Sequence, residues 1–143
     1  MKLELKHITP YLPYKLRVVE WYRGKQIHDE FVVDCVNWDG KNIGGSDASL
    51  DSFELERMFN LKDIKPILRP MANLFTDEFK DLRDDISDYE LDVIFTWFVS
   101  ELKPTNPLIC ISYYVATLLF EHHFDIFGLI DKGLAIERRD EQF

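Results

Sequence analysis

The chain has 143 residues, enough for one domain with one core but too few for two domains of ordinary size, so we predict a single domain over residues 1–143. Apolar residues make up 46% of the chain and aromatic residues 14%, which excludes an intrinsically disordered protein. The net charge is −9, and the excess lies in residues 77–143, which hold fifteen acidic and six basic side chains. Because an acidic surface repels a phosphate backbone, we expect no direct nucleic-acid binding.

The N-terminus and the apolar runs bear on cellular location. The first ten residues, MKLELKHITP, lack the continuous apolar stretch of a secretory signal. The longest apolar run, at residues 108–120, has thirteen residues, which is too short to cross a bilayer. Cys35 and Cys110 are far apart, as is usual for buried thiols of a reducing compartment. We therefore expect a cytoplasmic protein that does not bind membranes.

The first half of the chain favours strands. Ile8–Tyr14 holds two prolines, so we expect a loop there that excludes helix. Residues 15–22 and 26–38 are rich in β-branched and aromatic side chains, and the three residues between them complete the pattern of a β-hairpin. We interpret Gly44–Ser46 as a loop after a short third strand.

The middle of the chain is less regular. Residues 49–61 suit either a short helix or a strand. Ile64–Pro70 contains prolines at positions 66 and 70, which favours an irregular or edge segment. Met71–Phe75 is predicted to add one turn of helix.

The second half favours helices. Apolar residues from Asp88 to Lys103 recur at the spacing of one helical face, with Ser87 or Asp88 as the cap. Asn106 and Pro107 predict the start of a second helix, which should pack antiparallel to the first because few residues join them. A short strand is expected near residues 134–137. The fold class that follows is α+β, a small antiparallel sheet (the N-terminal hairpin plus short strands) covered by a C-terminal antiparallel helix pair.

Potential ligands are densest at Glu121, His122, His123 and Asp125. Adjacent histidines on a helix point about 100° apart, so His122 and His123 are poorly placed to share one ion. We interpret the histidines as partners of the helix C-terminus and Asp125 as a partner of backbone amides in the next turn. We therefore assign no catalytic, cofactor-binding or metal-binding residue and expect no cofactor. Phe124 and Phe127 should return the chain to the core.

Three stretches share a pattern with known sequences: ITPYLPYKL at Ile8–Leu16, IKPILRP at Ile64–Pro70 and HFDIFGLIDKGLAIE at His123–Glu137. Together they resemble a family of small proteins without an established activity, encoded by phages and mobile elements of Bacteroides-type gut bacteria. That family typically has glycine where Lys15 stands, and since lysine disfavours a positive φ, we expect the loop to differ there. The resemblance implies a mobile-element context and no catalytic residues.

Three functional hypotheses remain. The first is a non-enzymatic accessory protein of a phage or mobile element that binds an unidentified host or phage protein, in an oligomeric state that the sequence leaves open. The second is an acidic decoy, because Asp77–Asp92 holds eight acidic residues against Lys80 and Arg83 and could imitate a nucleic-acid backbone. The third is a metal-assisted hydrolase that uses Glu121, His123 and Asp125.

Overall fold

The strands form one mixed sheet. The computed structural model describes residues 2–27, 30–37, 39–47, 57–99 and 106–138. Within these ranges the strands run in the order β5-β4-β3-β1-β6-β7, and β2 pairs with β1. The strands are β1 Arg17–Tyr22, β2 Lys25–Gln26, β3 Phe31–Val36, β4 Asn42–Asp47, β5 Arg57–Asn60, β6 Ile64–Leu68 and β7 Ile136–Glu137.

The α+β class is confirmed, with four described α-helices beside the sheet. These are α1 Leu5–Ile8, α2 Lys80–Asp84, α3 Asp88–Val99 and α4 Tyr113–Glu121. The sheet is mixed rather than wholly antiparallel, because β7 runs parallel to β6 while the other pairs are antiparallel. None of the helices in the described ranges reaches the length and hydropathy that crossing a bilayer requires.

The predicted hairpin forms, although its second strand is interrupted. Arg23 and Gly24 both have positive φ, at 51° and 79°, as a two-residue hairpin turn between β1 and β2 requires. The predicted strand over residues 26–38 divides into β2 and β3, while positions 28, 29 and 38 lie outside the described residues. Phe31 and Val33 are buried on one face of β3, as the alternation predicts.

The loop predicted at Gly44–Ser46 is wrong, because these residues belong to β4 and pair with β3 and β5. The glycine at position 45 allows this close pairing. A Cβ there would lie 2.5 Å from the backbone oxygen of Val32 on the neighbouring strand. Glycine thus serves here for close strand approach and not as a turn residue. Of the ambiguous stretch 49–61, the described part forms β5 and then a short 3-10 turn, Leu61–Asp63.

The segment Ile64–Pro70 contains the regular strand β6, whose two neighbouring strands pair with successive parts of it. β6 pairs with β1 on one side and with β7 on the other. Pro66 stands opposite Val18 of β1, and β7 pairs only with Ile67 and Leu68, after the proline. The sheet thus accommodates the proline because the second pairing begins past it.

The N-terminal segment is helical where a loop was predicted. Thr9–Tyr14 forms a 3-10 helix with proline in its first turn, where the missing N–H costs no hydrogen bond. The helix ends at Lys15, which adopts a left-handed φ of 58°. The expectation that lysine would avoid a positive φ here is therefore wrong.

The helices of the second half start where side chains cap them. Ser87 caps α3 as predicted, with Oγ accepting from the N–H of Glu90 at 3.3 Å, and residues 100–103 lie outside the described ranges. Asn106 caps only a 3-10 turn, Pro107–Ile109, and α4 begins later under the Ser112 cap. The predicted antiparallel pair is not confirmed, since a hydrogen bond from Ser112 N–H to Glu90 joins the start of α4 to the start of α3.

The core contains side chains from the N-terminal segment, the middle and the C-terminal part of the chain. Tyr11, Leu68, Leu119 and Phe124 are all fully buried. Phe124 thus lies in the core as predicted, whereas Phe127 is only partly buried against it. The two cysteines are half-buried, not fully buried as predicted.

Candidate functional site

The segment from His122 to Asp125 lies along the end of β6. The backbone N–H of Arg69 donates to the oxygen of His123 at 2.7 Å, and the N–H of Asp125 donates to the oxygen of Arg69 at 2.8 Å. Phe124 forms a parallel bridge with Arg69. The end of α4 is therefore held as an extension of the sheet, which fixes the directions of the neighbouring side chains.

His123 is held as a neutral imidazole. Its Nε2 lies 2.6 Å from the carbonyl oxygen of Tyr14, which can only accept, so Nε2 carries the proton. A guanidinium N–H of Arg138 lies 3.3 Å from Nδ1, which therefore accepts. Burial lowers the pKa of His123 below 6.5; the Tyr14 bond opposes this and Arg138 adds to it. Nε2 is thus bonded to the backbone of Tyr14 and Nδ1 to the side chain of Arg138.

Asp125 organises the turn that follows. Its carboxylate accepts the N–H groups of Leu129 at 2.8 Å and Ile130 at 2.9 Å, the role predicted from the sequence. Only 6% of the residue is exposed, and this burial raises the pKa of the Asp125 carboxyl although the two amide bonds lower it. Both carboxylate oxygens of Asp125 therefore accept hydrogen bonds from the backbone of the turn.

The structure does not bring Glu121, His123 and Asp125 together. Glu121 is exposed at the end of α4, while the other two side chains bond to backbone groups in the interior. Within the described ranges, no three His, Cys, Asp or Glu side chains are grouped so that they hold a metal ion. His122 closes α4 by donating its N–H to Leu118, and its ring lies 6.2 Å from that of Phe79. The role predicted for the two imidazoles at the end of α4 is not confirmed, because the His122 ring lies near Phe79 and the His123 ring bonds to Tyr14 and Arg138.

The acidic segment Asp77–Asp92 lies on the surface. Seven of its eight acidic residues are exposed, and Glu90 is half-buried. The guanidinium of Arg83, one of its two basic residues, donates to the carbonyl oxygens of Leu74 and Thr76, both at 2.6 Å. Because the guanidinium of Arg83 bonds to these backbone oxygens and to none of the exposed carboxylates in the described contacts, the segment presents a strongly negative face to solvent.

A group of exposed aromatic residues adjoins this acidic face. The carboxylate of Glu90 accepts from the hydroxyl of Ser87 and from the N–H of Ser112, and so draws together the starts of α3 and α4. Next to these anchors stand four exposed residues, which we name the tyrosine patch: Tyr89 (76% exposed), Ile109 (81%), Tyr113 (89%) and Tyr114 (59%). The bonds to Glu90 lower the pKa of its carboxyl, with the Ser112 amide as the largest cause.

The tyrosine patch was missed from the sequence, although a signal was present. Tyr113 lies off the apolar face of α4, which includes Val115 and Leu119. An aromatic residue off the buried face of an amphipathic helix indicates an exposed ring. What the sequence could not supply is the bond from Ser112 to Glu90, which joins the start of α4 to the start of α3, where Tyr89 lies.

In comparisons with protein-family models, with curated proteins and with solved structures, the chain shows no match. Its function is therefore argued from the geometry of its own residues.

Proposed function

We propose that this chain is a non-enzymatic protein-interaction protein, an accessory of a phage or mobile element that acts in the cytoplasm on a host or phage protein. The mobile-element context rests on the three resembling stretches. The single observation that carries the interaction is the tyrosine patch, in which three tyrosines and one isoleucine stand exposed at the joined starts of α3 and α4.

The chemistry of the patch favours a protein partner. Contiguous exposed apolar groups mark interaction surfaces, and tyrosine is enriched in the centres of protein interfaces. A tyrosine offers a large contact area at the cost of few rotatable bonds. Asp88 precedes Tyr89 directly, and Asp84 and Asp85 lie on the same exposed segment. A negative rim beside the rings favours a partner whose facing surface is basic.

The test is capture of a partner by variants that differ only at the patch. Tagged wild type, Tyr89→Ser/Tyr113→Ser and the control Tyr22→Ser are compared on one host lysate, Tyr22 being 53% exposed on the distant hairpin. We expect one protein to be retained by wild type and by the control and lost from the double variant. Equal capture by all three proteins would contradict the proposal, and so would catalytic turnover abolished by a point change.

The acidic decoy is the second candidate, and the exposed carboxylates of Asp77–Asp92 favour it. The two candidates differ in salt dependence. A decoy held by charge should lose affinity more than about tenfold between low and physiological salt, whereas contact through the rings should change less. Asp84→Asn/Asp85→Asn/Asp88→Asn should abolish decoy binding and only weaken binding through the tyrosine patch. Binding that is insensitive to salt would exclude the decoy.

A further inference from the structure

A cavity of about 1050 Å³ opens on the side of the molecule where the resembling stretches meet. Pro10 of the first stretch, Pro70 of the second and residues 125–128 and 130–132, within the third, all line it. This volume is slightly above the roughly 300 to 1000 Å³ typical of small-molecule sites. The three stretches are distant in sequence, and the fold brings them to one cavity that the tyrosine patch does not touch.

The walls of the cavity are mostly apolar. Met71, Trp97, Leu108, Phe127 and Ile130 contribute to them. A hydrocarbon or aromatic body would be removed from water there, which is the main source of affinity in such sites.

The wall contains a hydrogen-bond donor without a described partner, the Nε2–H group of His7. His7 is only 3% exposed, and its Nδ1 accepts the N–H of Glu4 at 3.0 Å, so the proton of the neutral ring lies on Nε2. Among the described residues nothing hydrogen-bonds to this Nε2, although the ring packs edge-on against Phe127 at 5.5 Å. Burial, followed by the charge of Lys6, lowers the pKa of His7, which keeps it a neutral donor.

The charges that act on His7 are Lys6, Glu4 and Lys132. Lys6 and Glu4 form an ion pair at 3.2 Å, and Lys132 is the other positive charge that acts on His7. Lys132 lines the cavity, and its ammonium donates to the oxygen of Phe127 at 3.3 Å. The carboxyl groups of Asp125, Asp131 and Glu137 also line the cavity. The charges of Asp131 and Lys132 both act on Asp125, and none of the three carboxyl groups acts on His7.

We propose that this cavity binds a small molecule consisting of a carboxylate on an apolar body, with the carboxylate accepting from His7 Nε2–H and facing Lys132. A carboxylate matches both groups, because it accepts a hydrogen bond and balances a positive charge. An alcohol could accept the hydrogen bond from His7 but would not balance the charge of Lys132. A quaternary ammonium could do neither.

Three probes with the same chain separate these chemistries: decanoate, decanol and decyltrimethylammonium, each titrated by calorimetry into the full-length protein. We expect decanoate to bind about tenfold more tightly than decanol, a factor typical of one charge-assisted contact, and the ammonium probe to bind weakest. Lys132→Met retains the stem of the side chain and should cost decanoate about tenfold while leaving decanol unchanged. Lys25→Met, on the exposed hairpin, should change neither affinity.

His7→Phe is the second variant, since it keeps a ring against Phe127 and removes the donor. It should lower the affinity for decanoate and decanol alike. Three results would each overturn the proposal: equal affinity for decanoate and decanol, failure of all three probes to bind, or an unchanged affinity of Lys132→Met for decanoate. Because none of these variants alters the tyrosine patch, failure of the cavity proposal leaves the interaction proposal standing, and the reverse also holds.

Discussion

Replacing Phe124 by alanine should remove a large part of the stability of the domain. The side chain is completely buried, and its ring meets that of Phe79 edge-to-face at 4.9 Å between centroids. Truncation of a buried phenylalanine costs about 3 to 5 kcal/mol, and an edge-to-face pair contributes about 0.5 to 1.5 kcal/mol beyond area burial. The hydroxyl of Tyr11 bonds to the backbone oxygen of Phe124, which alanine retains. We therefore expect a loss near 4 kcal/mol, out of about 5 to 15 kcal/mol for a typical domain.

Urea unfolding followed by circular dichroism measures this loss as a shift of the midpoint at constant slope. Two control variants test whether the loss of unfolding free energy follows burial. Phe127→Ala, at a partly buried ring, should lose about half as much as Phe124→Ala. Phe95→Ala, at a residue that is 44% exposed, should lose about 1 kcal/mol or less. A midpoint for Phe124→Ala within 1 kcal/mol of wild type would refute the packing argument. So would an inverted order of the three variants.

Three further predictions concern the turn and the sheet. Because the folded pKa of His123 lies below its unfolded value of 6.5, stability should be constant above that value and fall as pH drops below it. His123→Asn, which tolerates the left-handed backbone, should weaken this dependence, and an unchanged pH profile would contradict the assignment. Asp125→Ala should cost about 2 to 4 kcal/mol in urea unfolding and Asp125→Asn about half, because the amide keeps one acceptor oxygen; equal losses would be inconsistent with the capping role. Gly45→Ala should cost about 1 to 3 kcal/mol, because its Cβ would meet the Val32 oxygen, and a wild-type melting temperature would exclude this close approach.

Local chemistry accounts for the parts of the fold that the sequence predicts well. The hairpin at Arg23–Gly24, the Ser87 cap of α3 and the Asp125 turn each depend on residues a few positions apart. The failures depend on distant partners. Gly45 is typical of a turn, and only the close approach of Val32 explains its place in a strand. Pro66 is typical of an edge strand, and the sequence does not show that β7 pairs with β6 from the next residue onward.

The candidate surfaces follow the same division. The exposure of Tyr113 could be predicted from the helical face of α4, because its position leaves that face. The approach of the start of α3, which carries Tyr89, depends on the Ser112–Glu90 bond, which spans 22 positions. The free Nε2 of His7 could not be predicted, since it depends on which of two ring nitrogens Glu4 occupies and on a cavity that three distant stretches enclose.

The bonds that fasten the N-terminal segment to the far end of α4 delay completion of the fold during synthesis. Tyr11 bonds to Phe124 and Tyr14 to His123, at separations of 113 and 109 positions. At about 5 to 20 residues per second, a ribosome needs roughly 6 to 23 s to make the chain between them. Over that time Tyr11 lacks both Phe120, whose ring it contacts, and Phe124, to which its hydroxyl bonds. The nascent chain should therefore recruit chaperones that hold apolar segments.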